Sequence, residues 1–148
     1  MKKVLVINGP NINMLGIREP DVYGAKSYDD LLAFIAEAAN ESGVDVQCFQ
    51  SNSEGAIVDE IQQAYGKFNG IVINPAAYTH TSIAIPDAIK AVGIPAIEVH
   101  LSDINKREPY RQISYTSEAC ETSIVGKGFE GYREAIRFFA NLWQTGNL

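Results

Sequence analysis

Of the two histidines of this chain, His80 lies just past one predicted buried strand and His100 lies at the carboxyl end of the next. These strands cover residues 70–74 and 95–101, so both imidazoles are expected at one edge of a parallel sheet. Glu98 precedes His100 by two residues, and side chains two apart on a strand face the same way. Metal binding by the two histidines would require a third ligand, for which Glu98 is the nearest candidate. We therefore favour a histidine oriented by a carboxylate, an arrangement suited to proton transfer.

More reactive side chains lie on a long connection, residues 8–24, which follows an apolar run at 4–7. A strand-to-helix connection usually has about 2–6 residues, so this length is typical of a lid or binding loop. The loop carries Arg18 and Tyr23. A guanidinium that stabilises the phenolate would make Tyr23 a usable general base. The alternative is a tyrosine that packs over the rim of the site.

Two further segments at the same sheet edge can bind an anion. Asn74 ends the third predicted strand, where its amide either holds a ligand or closes an ordinary Asx turn. Leu101 and Ser102 end the fourth strand and can offer backbone N–H groups and a hydroxyl to a carboxylate. Arg107 and Arg111 either clamp an anion or pair with the glutamate between them on a solvated face.

The hydrophobic pattern indicates the elements that must position these residues. Strands are predicted at 4–7, 44–50, 70–74, 95–101 and 123–125, separated by amphipathic helices. This alternation is typical of a doubly wound α/β sheet, here a single domain over residues 1–148.

The helices carry their own start and stop signals. Ser27 and Asp30 form a capping-box pattern, and Gly43 ends that helix. The second helix is capped at 52–53 and is predicted to bury Ile57, Ile61, Ala64 and Tyr65. Pro86 is expected in the first turn of the third helix, because proline is tolerated there.

Composition narrows the possible partners. The chain has 148 residues and a net charge of −6, which argues against nucleic acid or an anionic membrane as a partner. It has no run of about 18 apolar residues, so no membrane span is expected. Cys48 and Cys120 suggest neither a disulfide framework nor a metal site, and the start of the chain does not resemble a signal peptide. A cytoplasmic protein with a local basic pocket for any anionic substrate is the natural interpretation.

Several cofactor-dependent classes fit poorly. The glycines at 126–131 match Gly-x-Gly-x-x-Gly, but a dinucleotide site needs a further strand and an acidic residue about 20 positions on. We interpret them as turn glycines before the last helix. Asn8 and Asn74 stand where a receiver domain needs acidic residues, and residues 8–16 lack the hydroxyls of a flavodoxin phosphate loop. A small-molecule site without cofactor or metal is expected.

Four segments together resemble type II 3-dehydroquinate dehydratase: residues 8–24, 74–82, 98–102 and 107–111. They read Asn-Gly-Pro-Asn-Ile-Asn-Met-Leu-Gly-x-Arg-Glu-Pro-x-x-Tyr-Gly, Asn-Pro-Ala-Ala-Tyr-Thr-His-Thr-Ser, Glu-Val-His-Leu-Ser and Arg-Glu-x-x-Arg. The similarity runs almost from end to end, including the glycine motif followed by a tyrosine.

The resemblance implies a flavodoxin-like fold and a cofactor-free anti elimination of water. The substrate would be 3-dehydroquinate and the product 3-dehydroshikimate, formed through an enolate in aromatic amino acid biosynthesis or quinate breakdown. Tyr23 would accept the proton and Arg18 would activate it. His100 would protonate the leaving C1 hydroxyl, and Asn11 would help to hold a water against the enolate oxygen. The implied substrate-binding residues are Asn74, His80, Asp87, Leu101, Ser102 and Arg111.

The resemblance also implies a homododecamer, a tetramer of trimers, in which Asp87 reaches a neighbouring subunit's site. Pro86 departs from the family, whose members commonly carry arginine there, and it stands beside Asp87. The competing hypothesis is a catalytically silent, flavodoxin-like module that binds an anionic metabolite.

Overall fold

A computed structural model of the chain describes residues 1–17 and 26–146. All strands run parallel in one sheet of order β2-β1-β3-β4-β5. The strands are β1 (Lys3–Asn8), β2 (Asp45–Gln50), β3 (Gly70–Asn74), β4 (Ala96–His100) and β5 (Thr122–Val125). The predicted doubly wound α/β sheet is therefore confirmed, and β2 and β5 are its edge strands.

Helices cover both faces of the sheet. They are α1 (Tyr28–Ser42), α2 (Glu54–Gln63), α3 (Ala84–Val92) and α4 (Glu130–Thr145). In the part of the chain that the structure describes, no helix is long and apolar enough to cross a membrane.

The sheet separates two hydrophobic cores because successive side chains of a strand point to opposite faces. Val4 and Val6 of β1 pack with α1 and α4, whereas Leu5 and Ile7 pack with α2 and α3. The inner strands β1, β3 and β4 are buried on both faces, as a parallel sheet covered by helices requires.

The predicted helix ends are largely confirmed. Ser27 Oγ accepts from the Asp30 amide at 3.1 Å, and the Asp30 carboxylate accepts from the Ser27 amide at 2.9 Å. Gly43 ends α1 with a φ of 69°, a conformation that glycine adopts without strain. Pro86 lies in the first turn of α3, after a 3₁₀ segment at Ala76–His80.

The prediction that Tyr65 is buried was wrong. Its side chain is 71% exposed, although Ile57 and Ile61 of the same pattern are fully buried. The reason is local, because α2 ends at Gln63 and the chain reverses at Gly66 with a φ of 77°. Tyr65 therefore falls in the turn, where the helical period no longer decides which side faces the core.

Candidate active site

A pocket lies at the carboxyl edge of the sheet, where the segments after β1, β3 and β4 meet. Seven residues predicted from the sequence line it: Asn11, Asn74, His80, His100, Leu101, Ser102 and Arg111. Asp87 lies instead on the exposed side of α3, outside this lining. Arg18 and Tyr23 belong to the segment 18–25, outside the described residues.

His100 and Glu98 form a buried pair at the end of β4. His100 Nε2 lies 2.6 Å from Glu98 Oε2, and the two residues are 5% and 0% exposed. A carboxylate only accepts, so Nε2–H donates and Nδ1 is the nitrogen left for a ligand. This is the geometry of a histidine oriented by a carboxylate that the two-residue spacing predicts. Across residues 1–17 and 26–146, no three His, Cys, Asp or Glu side chains are grouped to hold a metal ion.

Three hydroxyl groups complete the environment of Glu98. Thr79 Oγ1 and Ser114 Oγ lie 2.5 Å and 2.7 Å from Oε2, and Ser123 Oγ lies 2.6 Å from Oε1. Burial alone raises the pKa of Glu98, but His100 and the hydroxyls of Ser123 and Thr79 outweigh it and lower this pKa to about 2. Glu98 is therefore a carboxylate at neutral pH. The sequence carried no signal that these hydroxyls converge, since they come from three separate segments.

His80 is held by a backbone carbonyl of the segment that follows Arg111. Its Nδ1 lies 2.6 Å from the Ile113 carbonyl, which can only accept, so Nδ1 carries the proton. Burial lowers the pKa of His80, opposed by the bond to Ile113 and supported by the charge of Arg111. The neutral ring thus leaves Nε2 as an acceptor for a hydroxyl group. The Tyr115 amide also donates to the Thr79 carbonyl at 2.8 Å, which ties the same two segments together.

Two arginines make this pocket locally positive in an acidic protein. Arg107 Nη1 donates to Ser102 Oγ at 3.3 Å, and both residues line the pocket. Arg111 Nε lies 2.9 Å from the Glu108 carboxylate, an ion-pair distance without the alignment of a hydrogen bond. The predicted pairing with Glu108 is therefore confirmed, and Arg111 also lines the pocket, which is compatible with the predicted anion clamp.

Asn11 is placed by a set of side-chain amides. It has a left-handed φ of 70°, and its backbone N–H donates to Asn52 Oδ1 at 3.0 Å. Gln50 Nε2 donates to the Gly9 carbonyl at 3.1 Å. A Cβ on Gly9 would lie 2.5 Å from the Pro75 carbonyl oxygen, so only glycine fits this approach. No sequence pattern pointed to Gln50 and Asn52, which lie about forty residues from the loop they support.

Asn74 closes an Asx turn and lines the pocket. Its Oδ1 accepts from the Ala76 amide at 3.1 Å, and Ala76 adopts a left-handed φ of 51°. Its Nδ2 donates to the hydroxyl of Tyr132 at 3.0 Å. The two alternatives for Asn74, turn former and ligand-facing amide, are therefore compatible.

The glycine motif before α4 packs against the end of β4. The amides of Gly126 and Gly128 donate to the carbonyls of His100 and Leu101 at 3.2 Å and 3.0 Å. A Cβ on Gly126 would lie 3.1 Å from that of Asp103. These glycines hold the strand end that carries the site, in agreement with their interpretation as turn glycines.

Comparison with known proteins places this geometry in one family. Residues 2–140 match the family described as dehydroquinase class II. The chain is 54% identical to a 3-dehydroquinate dehydratase of Clostridium acetobutylicum, over 95% of this chain and 97% of that protein. It is 52% identical to catabolic 3-dehydroquinase 1 of Aspergillus terreus, over 94% and 91% of the two chains.

Comparison with solved structures indicates the same family. The type II dehydroquinase from Butyrivibrio crossotus superposes with a TM-score of 0.91 at 51% identity, over 95% of this chain and 97% of that one. The type II dehydroquinase from Propionibacterium acnes also superposes with a TM-score of 0.91, at 42% identity. The chain whose sheet edge holds the His100–Glu98 pair belongs to the class II dehydroquinase family.

Proposed function

We propose that this protein catalyses the anti dehydration of 3-dehydroquinate to 3-dehydroshikimate without a cofactor. In this reaction a base removes a proton from the ring carbon that lies between the carbonyl carbon and the carbon bearing the C1 hydroxyl. An enolate forms. The C1 hydroxyl then leaves as water after it receives a proton, and a conjugated enone remains. The family and the names of its closely similar members support the substrate and reaction.

The observation that carries the proposal is the buried His100–Glu98 pair, whose histidine lines the pocket. Glu98 accepts the hydrogen bond from Nε2–H, so a protonated His100 has Nδ1–H to give to the leaving hydroxyl. The hydroxyl groups around Glu98 hold the carboxylate, and therefore the imidazole, in one orientation. We assign His100 as the proton donor.

The assignment of the base follows from the resemblance. Tyr23 is proposed as the proton acceptor, and Arg18 as the cation that stabilises its phenolate. Both lie outside the described residues, on the same connection as Asn11. Asn11 lines the pocket, which supports its proposed part in holding a water against the enolate oxygen.

The remaining pocket residues are proposed to bind substrate. Leu101, Ser102 and Arg111 suit the carboxylate, since backbone N–H groups and a guanidinium favour anions. Asn74 and the unprotonated Nε2 of His80 suit ring hydroxyls. We further propose that the cytoplasmic enzyme is a homododecamer in which the exposed Asp87 reaches a neighbouring subunit's site.

Ultraviolet absorbance tests this function directly. Purified protein mixed with 3-dehydroquinate at neutral pH should generate the absorbance of the conjugated enone, and His100→Gln should generate almost none. Folded wild-type protein that binds 3-dehydroquinate without an absorbance change would instead be the silent binding module.

A further inference from the structure

Tyr132 is a buried polar residue to which the proposed reaction assigns no part. It lies in the first turns of α4 and is 0% exposed, among the apolar side chains between α1, α4 and the sheet. Its hydroxyl donates to Asn8 Oδ1 at 2.7 Å and accepts from Asn74 Nδ2 at 3.0 Å. Asn8 and Asn74 are register partners at the carboxyl ends of β1 and β3. The phenol therefore bridges two strand ends, one of which carries the pocket-lining Asn74.

The hydrogen-bond pattern determines which way the Asn74 amide points. A tyrosine hydroxyl has one hydrogen, and here that hydrogen goes to Asn8 Oδ1. The oxygen can then only accept from Asn74, which requires Nδ2 on that side. The Ala76 amide requires Oδ1 on the other side. A flipped Asn74 would place acceptor against acceptor and donor against donor.

Tyr132 stays protonated while it does this. Burial raises its pKa far above the ordinary value, and the hydrogen bond from Asn74 offsets only part of that increase. The hydroxyl therefore neither ionises nor removes a proton from substrate. Its influence on the reaction must act through the groups it touches.

We propose that Tyr132 is a positioning residue that locks the Asn74 carboxamide in one orientation and so sets the donor and acceptor offered to a substrate hydroxyl. The inference rests on the proposed function, in which Asn74 binds substrate. With one Nδ2 hydrogen used by Tyr132 and one Oδ1 lone pair used by Ala76, a second hydrogen and a second lone pair remain for a ligand. Asn74 is 2% exposed, so solvent does not supply a substitute partner when the phenol is lost.

The test is Tyr132→Phe, which keeps the ring and removes only the hydroxyl. KM for 3-dehydroquinate should rise roughly tenfold, with kcat changed less, since the Asn74 amide then keeps only its bond from the Ala76 N–H and is held less firmly in the orientation that binds the ligand. Two controls separate this effect from general destabilisation. Tyr65→Phe removes an exposed phenol oxygen, and Ile61→Val weakens the core beneath α2 and α3; both should keep the wild-type KM.

A double-mutant cycle shows whether the effect passes through Asn74. In an Asn74→Ala background, Tyr132→Phe should change kcat/KM by less than about twofold, because the group it positions is gone. An undiminished effect in that background, or an unchanged KM in Tyr132→Phe alone, would overturn the proposal.

A second variant keeps the test decisive if Tyr132→Phe does not fold. Asn8→Ala removes the acceptor of the Tyr132 hydrogen, which then competes for Asn74, and KM should rise in the same way. An unchanged KM in Asn8→Ala would then count against the inference. An inactive wild-type enzyme would refute the proposed function itself, which the absorbance assay detects before any variant is made.

Discussion

Glu98 Oε2 lies 2.6 Å from His100 Nε2, and the two residues are separated by one position on β4. Successive side chains of a strand point to opposite faces, so residues two positions apart lie on the same face of the sheet. Three hydroxyls from elsewhere in the chain then surround the carboxylate, so neither partner of the pair is free to turn. The result is a histidine with one defined nitrogen directed away from its carboxylate.

Replacement of the proposed base should stop the reaction without preventing substrate binding. Tyr23→Phe should lower kcat by about 10²–10⁴-fold, the usual contribution of general base catalysis. Affinity for 3-dehydroquinate, measured by calorimetry, should change little because the aromatic ring is retained. Retention of most activity would move the search for the base to His80. Tyr65→Phe serves as the matched control, since Tyr65 is 71% exposed.

Loss of the Glu98 charge should impair catalysis more than binding. Glu98→Gln has nearly the same shape but no charge, so it can hold His100 Nε2–H only through a neutral hydrogen bond and no longer stabilises a protonated imidazole. We expect kcat to fall by about 10²-fold with a small change in KM, measured by steady-state absorbance. Glu134→Gln, in a surface pair with Lys127, should be neutral. A change confined to KM would show that Glu98 does not act through His100.

The low pKa of Glu98 predicts acid-sensitive folding. Its folded pKa of about 2 lies below the ordinary value of 4.5, so the folded state favours the ionised form. That stabilisation, on the order of 3 kcal/mol, is fully present above pH 4.5 and is lost as the pH falls toward 2. Urea denaturation from about pH 7 to about pH 3 should show a wild-type free energy of unfolding that declines more steeply than that of Glu98→Gln. Parallel curves would contradict the assigned pKa.

Arg111 should contribute mainly to substrate binding. Arg111→Ala removes a guanidinium that lines the pocket, and a charge-assisted hydrogen bond to a carboxylate is worth about 1.5–3 kcal/mol. KM should therefore rise about 10- to 100-fold, measured in the same assay. Arg137→Ala, at a 58% exposed side chain near Glu41, should leave KM unchanged. Equal KM values for the two variants would place the substrate carboxylate elsewhere.

The glycine motif should prove structural. Gly126→Ala should destabilise the fold by more than the roughly 1–2 kcal/mol that a left-handed alanine costs, because the new Cβ lies 3.1 Å from that of Asp103. Gly43→Ala isolates the backbone cost, since Gly43 has a similar φ and a Cβ added there would meet nothing within 4 Å. Urea denaturation compares the two. Equal losses would mean that the contact with Asp103 is absorbed without cost.

Local sequence patterns were sufficient to predict the helices and strands themselves. The capping box of Ser27 and Asp30 and the glycine at 43 lie within the segment they delimit, so the predicted and observed ends of α1 agree. The apolar runs of β1 and β3 indicated buried strands, and the two histidines were expected at one sheet edge because parallel strands end there. Tyr65 was misplaced because a helical period was extended past the last helical residue, where the chain turns at Gly66.

Contacts between residues far apart in the sequence could not be predicted from such local patterns. The hydroxyls that surround Glu98 lie 16 to 25 residues away, and Tyr132 lies 124 residues from Asn8. In the sequence, Tyr132 is one of several apolar or aromatic residues that recur at helical spacing in the last helix. Its hydroxyl required a polar partner in the core, but nothing local named that partner.

The sequence by itself determined the α/β sheet, the edge at which the site lies, the His100–Glu98 pair and, through resemblance, the family. These follow from short-range periodicity and from motifs whose residues are neighbours in the chain. Only the tertiary structure decided which hydroxyls hold Glu98, which amides support Asn11 and which phenol orients Asn74. Each of these contacts joins segments that meet only when the strands pair in register and the helices pack, because a hydrogen bond requires partners within about 3 Å, whatever their distance along the chain.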